Sequence, residues 1–193
     1  HPAIIRFDQT VNIRPLPLSD HGIINNRIHF VGENGTVIRK ESGSECLIIG
    51  TNDTENYHSL IPSGSSVSNI GVVVGDNGLV NIYDGSFIPQ KIATNLNDNF
   101  YSVAADSTSN KVYLGASNGG MYYISDISAT TPSLAKIPSN NTKAINGIDV
   151  SPSGEVLYVG DESRIFKGKD NFAYEIKNNY TPVLRDVHFS SLA

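Results

Sequence analysis

Two five-residue loops hold the densest oxygen chemistry of this 193-residue chain: Asn52-Asp53-Thr54-Glu55-Asn56 and Asn95-Leu96-Asn97-Asp98-Asn99. Carboxylate and amide oxygens packed this closely are the hard ligands that calcium prefers. Asp53 and Asp98 would bring the negative charge. Neither loop has the EF-hand spacing, and Asx side chains also favour turns by bonding the nearby backbone. Plain Asx turns are the first reading of both loops, and a calcium ion at one of them, the one cofactor considered, is the second.

No catalytic constellation stands beside them. The five histidines, His1, His21, His29, His58 and His188, include no pair at metal-ligand spacing. A nucleophile elbow, a zinc-protease helix motif and a phosphate-binding loop are all absent. Cys46 is the single cysteine, so no intramolecular disulfide can form. The following Leu47-Ile48-Ile49 suits a strand with an inert thiol. An enzyme would have to recruit Asp106, Asp149 and Asp186 as acid, base or metal ligands; glycoside chemistry needs a carboxylate pair about 5 to 10 Å apart. The catalytic residues expected are therefore none.

Recognition has more material. Tyr57, Tyr101 and Tyr122 offer amphipathic contact area, and Asn146, Arg185 and Asp186 join them as polar binding candidates. Net charge is −5 and no basic cluster exceeds Arg39-Lys40, which argues against nucleic acid as a partner. No stretch has the length of a membrane-spanning helix.

These side chains need a frame, and the composition indicates sheet: 17 Gly, 9 Pro, 20 Asn and 22 Ser, with 17% charged residues and no long amphipathic stretch. Four segments repeat one pattern of apolar run, glycine, polar turn and second apolar run. They are RIHFVGENGTVIRKE from Arg27, GVVVGDNGLVNIYDG from Gly71, KVYLGASNGGMYYISD from Lys111 and EVLYVGDESRIFKGKD from Glu155. The anchoring glycines, Gly32, Gly75, Gly115 and Gly160, lie 43, 40 and 45 residues apart. That period, built from paired strands, belongs to propeller blades. Asn34-Gly35, Asn77-Gly78 and Asn118-Gly119 form tight hairpin turns at one offset. Glu162-Ser163 replaces them in the last blade, which predicts a different turn type there.

The predicted fold class is all-β: a small β-propeller of four-stranded antiparallel blades, four in number. Residues 1-22 read as a leader or connector and 23-193 as the propeller. The inner strands of the first two blades are poor in Pro17 to Ile23 and Leu60 to Ser66, while Leu184 to Ser190 is an orphan strand. Closure is expected through Leu184 to Ser190 pairing with Arg27 to Gly32, since open rings leave sheet edges exposed. A five-blade ring would use Ala3 to Leu18, which Pro15 and Pro17 make a poor strand pair.

The stretch AINGIDVSPSGEVLYVGDESRIFKGKD, from Ala144 to Asp170, resembles the YVTN-type propeller repeat, and Phe100 to Asp126 carries the pattern more weakly. The resemblance implies fold; propellers serve as enzymes, adhesins and scaffolds alike. A chain without Trp has neither the sialidase-type Asp box nor the Trp-Asp pair of WD repeats. The Asn/Ser/Thr-rich, Lys-poor sequence also looks like the distal receptor-binding domain of a viral or phage spike. The expected function is non-catalytic recognition of a cell-surface receptor, glycan or protein, with host attachment as its finer form. The expected setting is extracellular or a virion surface. A lactonase- or glycosidase-like enzyme and an assembly scaffold are the alternatives.

Overall fold

The computed structural model describes residues 17–43, 45–49, 53–61, 70–83, 90–106, 108–176 and 182–189. They form four antiparallel sheets of four strands, each a meander in chain order. Blade one is β1 (Leu18–Ile24), β2 (Arg27–Gly32), β3 (Val37–Lys40) and β4 (Cys46–Ile49). Blade two is β5 (Tyr57–Leu60), β6 (Gly71–Gly75), β7 (Val80–Tyr83) and β8 (Gln90–Lys91). Blade three is β9 (Phe100–Ala105), β10 (Val112–Ala116), β11 (Met121–Ile124) and β12 (Leu134–Ile137). Blade four is β13 (Ile145–Val150), β14 (Glu155–Gly160), β15 (Ile165–Lys169) and β16 (Phe172–Glu175). Among the described residues the propeller architecture and four blades hold.

Each blade is buried on two faces because alternate residues along a strand point to opposite sides. Three apolar clusters fill the three spaces between consecutive blades. Ile24, Val31, Val37 and Ile49 of blade one meet Tyr57, Leu60, Val73 and Tyr83 of blade two. Val72, Val74, Val80 and Ile82 leave the other face of blade two and meet Phe100, Leu114, Tyr122 and Ile124. Tyr113, Met121 and Ile137 of blade three pack on Ile145, Val156, Tyr158 and Phe166. First strands touch first strands from blade to blade, which places β1, β5, β9 and β13 innermost.

Three expectations need correction. Arg27–Gly32 is already paired on both sides, by Leu18–Ile24 and Val37–Lys40, so Leu184 to Ser190 does not supply the inner strand of blade one. Residues 182–189 run instead beside blade four: the Leu184 N–H donates to the Gly160 carbonyl at 3.0 Å, and the Ser163 hydroxyl donates to the Pro182 carbonyl at 2.7 Å. Ser190 lies outside the described residues. Second, β1 starts at Leu18, so the connector cannot extend to residue 22; the remaining leader, 1–16, lies outside the described residues. Third, Glu162 and Ser163 both have φ 54, the handedness of Asn34-Gly35 at 53 and 63 and of Asn77-Gly78 at 53 and 69. Asn118 is the departure, since only Gly119 of that pair has positive φ.

The repeat glycines have a steric cause. A Cβ at Gly32, Gly75 or Gly160 would collide with the carbonyl oxygen of Pro17, Asn56 or Ala144, the residue just before the facing inner strand. In blade three the position paired with the first inner residue, Phe100, is Ala116 rather than Gly115. Anchored on Ala116, the intervals become 43, 41 and 44 residues.

Candidate functional site

The same irregularity occurs in all four inner strands. Leu18 pairs with Gly32 and Asp20 with Val31, leaving Ser19 as an extra residue. His58 is extra between Tyr57 and Ser59. Tyr101 is extra between Phe100 and Ser102, and Asn146 between Ile145 and Gly147. An added residue on one strand of a pair kinks it and re-aims a side chain. Along 182–189, which pairs in no ladder, LRDVHFS matches the inner strands in sequence, with Leu184 at the apolar residue and Arg185 at the added one.

His58 and Tyr101 meet across blades, and His58 and Asn146 are each held by an acid of their own blade. The rings of His58 and Tyr101, from blades two and three, stand edge to face at 5.3 Å. His58 Nε2 lies 2.6 Å from Asp76 Oδ1, and Asn56 donates to the other oxygen at 3.0 Å. Asn146 donates to Asp161 Oδ1 at 2.9 Å and to the Leu184 carbonyl at 3.1 Å. Asp76 and Asp161 each follow an anchor glycine directly. One residue past the glycine, the chain turns back toward the bulge, so an acid there can hold the bulge side chain. The bulge position of the four inner strands thus offers a hydroxyl, an imidazole, a phenol and an amide at Ser19, His58, Tyr101 and Asn146, and Arg185 is its match in sequence along 182–189. Such a row can hydrogen-bond and stack.

The candidates from sequence are sorted by this frame. Tyr57 is buried in the core between blades one and two, and its hydroxyl donates to Asp53 Oδ2 at 2.6 Å. Tyr122 is also buried and stacks edge to face on Phe100 at 5.4 Å; burial pushes its phenol pKa up. Neither can be a contact residue of a surface. Both are interblade packing, because they fall on strand positions that face a neighbouring sheet. Tyr101 and Asn146 do fall in the bulge row, and Arg185 matches it in sequence. Asp186, one place further on, caps its own neighbour, Val187 N–H, at 2.8 Å. His58, Asp76, Asp161 and Ser19 were not among the candidates. Their signal was positional: one residue after the first apolar place of an inner strand, or one after the anchor glycine.

The remaining acids have local employment. Asp106 follows β9 and takes the Thr108 N–H and hydroxyl at 2.8 and 2.7 Å and the Ser109 hydroxyl at 2.7 Å. Burial raises its pKa, but these donors and the Lys111 charge outweigh it and the net displacement is downward. Asp149 accepts the Phe189 N–H at 2.6 Å, tying 182–189 to β13. Asp20 does the same between blades one and two, accepting the Leu60 N–H at 2.8 Å and the Ser59 hydroxyl at 3.0 Å. Inner strands share no ladder, so carboxylates bridge them.

Of the two oxygen-rich loops, Asp53 also accepts Asn81 at 2.7 Å, and Lys91 Nζ stands 3.5 Å from its second oxygen. N–H and O–H donors aimed at a carboxylate occupy the lone pairs a cation would use, so this donor set does not fit calcium. Asp98 accepts Asn118 at 2.6 Å. Among the described residues no three acidic, histidine or cysteine side chains gather as a metal group. Asn52 lies outside the described residues. Away from the inner wall, a cleft of about 430 Å³ opens between blades three and four, lined by Ser139, Asn140, Asn141, Arg164, Phe166 and Glu175 among others; no residue expected from sequence lines it. Among the described residues no helix is long and apolar enough to cross a membrane.

No family model matches this chain, and no curated protein is similar to it in sequence. Solved structures are similar in shape. A structure described as YCF48 bound to D1 peptide has a TM-score of 0.63 at 15% identity, over 96% of this chain and 59% of that one. YCF48 from Cyanidioschyzon merolae has a TM-score of 0.64 at 13% identity, over 97% of this chain and 63% of that one. The chain therefore spans about three fifths of the length of these two proteins. With four successive blades packed in chain order, this likeness makes the chain a β-propeller by fold.

Proposed function

We propose that this chain is a non-catalytic propeller module that binds a protein partner, in extended peptide form, across the bulge row Ser19, His58, Tyr101, Asn146 and Arg185. One observation carries the reading: a single structural slot, repeated in every blade, holds a different polar chemistry each time. A slot that serves the fold stays small and apolar, as the anchor position does with Gly32, Gly75, Ala116 and Gly160. A slot that keeps its geometry while varying its chemistry is suited to reading a ligand that changes along its length. The bulges sit on a rigid frame, which lowers the ordering cost of binding. The similarity in fold to a propeller bound to a peptide is in keeping with this.

The finer reading is host attachment by the distal domain of a viral spike, acting outside the cell on a receptor or glycan. It rests on the Asn/Ser/Thr-rich composition and on no feature of the row. Calcium at Asp98 is the corresponding proposal for a cofactor; a higher melting temperature in calcium than in chelator, lost in Asp98→Ala, would support it. The test of the main reading is to pan immobilised protein against displayed random peptides and repeat with Tyr101→Ala and Arg185→Ala. A recurrent peptide motif lost in both variants, with melting unchanged, is expected. Enrichment indifferent to both would overturn the reading, as would lactone or glycoside turnover abolished by Asp149→Asn.

A further inference from the structure

The bulge row leaves the cleft of about 430 Å³ between blades three and four unused, and the walls of that cleft are fixed parts of the fold. One wall is the loop 139–141, on the way from β12 to β13. Asn141 pins that loop. Its amide donates to the Gly119 and Lys143 carbonyls at 3.2 and 2.8 Å, and its oxygen accepts the Lys143 N–H at 3.1 Å. Asn140 beside it is exposed. The opposite wall is blade four, where Arg164 stands just before β15 and Glu175 ends β16. The floor is the edge of the interblade core, since Phe166 belongs to that core and Ala173 packs on it. A volume of this size suits a small molecule.

The strongest polar groups of the cleft are a contacting pair of opposite charge. Arg164 Nη1 donates to Glu175 Oε1 at 2.5 Å, with the two side chains 38% and 34% exposed. Among the described residues neither side chain has another partner, so the other guanidinium N–H groups and the second carboxylate oxygen are open to a ligand. The Ser139 hydroxyl is buried and, among the described residues, has no partner. Turning about its one side-chain torsion offers it to the cleft. Donors and acceptors thus stand side by side with charges that cancel. A carboxylate ligand would meet Glu175 and an ammonium ligand Arg164, so a singly charged molecule gains little. A neutral molecule gains most where neighbouring atoms both donate and accept. Hydroxyls on adjacent ring carbons do this, about one hydrogen-bond length apart, whereas a peptide N–H only donates and a peptide C=O only accepts. The C–H face of a sugar ring also suits the apolar floor.

We propose that this cleft is a binding site for a neutral saccharide, separate from the peptide row. Arg164 and Glu175 grip a pair of adjacent hydroxyls, Asn140 and Ser139 reach others, and the ring lies over Phe166 and Ala173. The test titrates the intact chain with the methyl glycosides of glucose, galactose, mannose and N-acetylglucosamine, followed by backbone amide NMR shifts. At least one should bind with a Kd of about 1–10 mM and shift the amides of Ser139, Asn140, Phe166 and Glu175. Arg164→Ala and Glu175→Gln should each weaken that binding at least about tenfold. Their melting temperatures should hold, because a partly exposed ion pair adds little to stability. Tyr101→Ala, which tests the peptide row, should leave glycoside affinity unchanged, so the two sites can fail separately. Absence of binding by all four glycosides would overturn the proposal, as would shifts confined to residues away from the cleft. Both are read in the native chain, whatever becomes of the variants. Tighter binding of glucuronate than of methyl glucoside, or unchanged affinity in the folded cleft variants, would overturn it as well.

Discussion

Tyr57 and His58 are neighbours in the chain and opposites in the structure. Tyr57 is wholly buried between blades one and two. His58, displaced by the bulge, faces Tyr101 of the next blade and Asp76 of its own. The same contrast recurs in Phe100 beside Tyr101 and Ile145 beside Asn146. In each pair the first residue is buried and the second only partly so. A bulge lets one strand serve two masters at consecutive positions, where regular pleating would alternate faces with period two. In blades two to four the buried member is large and apolar or aromatic, whereas Leu18 in the same place of blade one is exposed. The displaced member is free to vary.

Replacing buried members should do the greatest damage. Tyr57→Ala removes an aromatic ring from a filled interblade space and leaves Asp53 and Asn81 without its hydroxyl. A loss of about 3–5 kcal/mol is expected, read from denaturant midpoints. A loss below about 1 kcal/mol would mean that the interface between blades one and two is not a packed core. Next comes the glycine across from Tyr57. Gly75→Ala would push a methyl group into the Asn56 carbonyl, at a cost of about 1–3 kcal/mol. Because blade three carries Ala116 in the matching place, a near-zero effect would show that the bulged strand can back away, and that the repeat glycine is dispensable.

His29 gives a smaller, pH-dependent effect in blade one. It is buried on β2, with Nδ1 donating to the Arg27 carbonyl at 2.9 Å. Burial, helped by the Arg39 and Arg27 charges, lowers its pKa below 6.5, although the bond to Arg27 and the Glu41 charge act the other way. The unfolded chain therefore takes up a proton here at a higher pH than the folded chain does. The stability contributed is present above 6.5 and is lost as pH falls from there toward the lower folded value. Melting temperatures between pH 7 and pH 5 should fall more steeply in the native chain than in His29→Gln; equal slopes would place the titration elsewhere.

The smallest expected effect on stability is at a displaced member. Tyr101→Ala removes a half-exposed ring whose one described ring contact is His58, and should shift stability by less than about 1 kcal/mol while abolishing peptide capture. If instead it destabilises as much as Tyr57→Ala, the bulge position is core, and the contrast between adjacent residues collapses.

The sequence alone determined that the chain repeats, that the repeat is a strand meander, and where most strands of blades three and four begin and end. Apolar alternation and tight-turn residues are local properties, readable within a window of ten residues. The blade-four turn at Glu162-Ser163 escaped it because two non-glycine residues hold a left-handed conformation, with Ser163 also bonded to Pro182. Only the tertiary structure decided which tyrosines are core. Tyr57, Tyr101 and Tyr122 are alike as residues and differ only in whether a neighbouring sheet lies over them. It also decided that Leu184 to Phe189 serves blade four rather than blade one, because strand adjacency depends on contacts between residues far apart in the chain. The bulge row was hidden for the same reason: an added residue is visible only once both strands of a pair, and hence their register, are known.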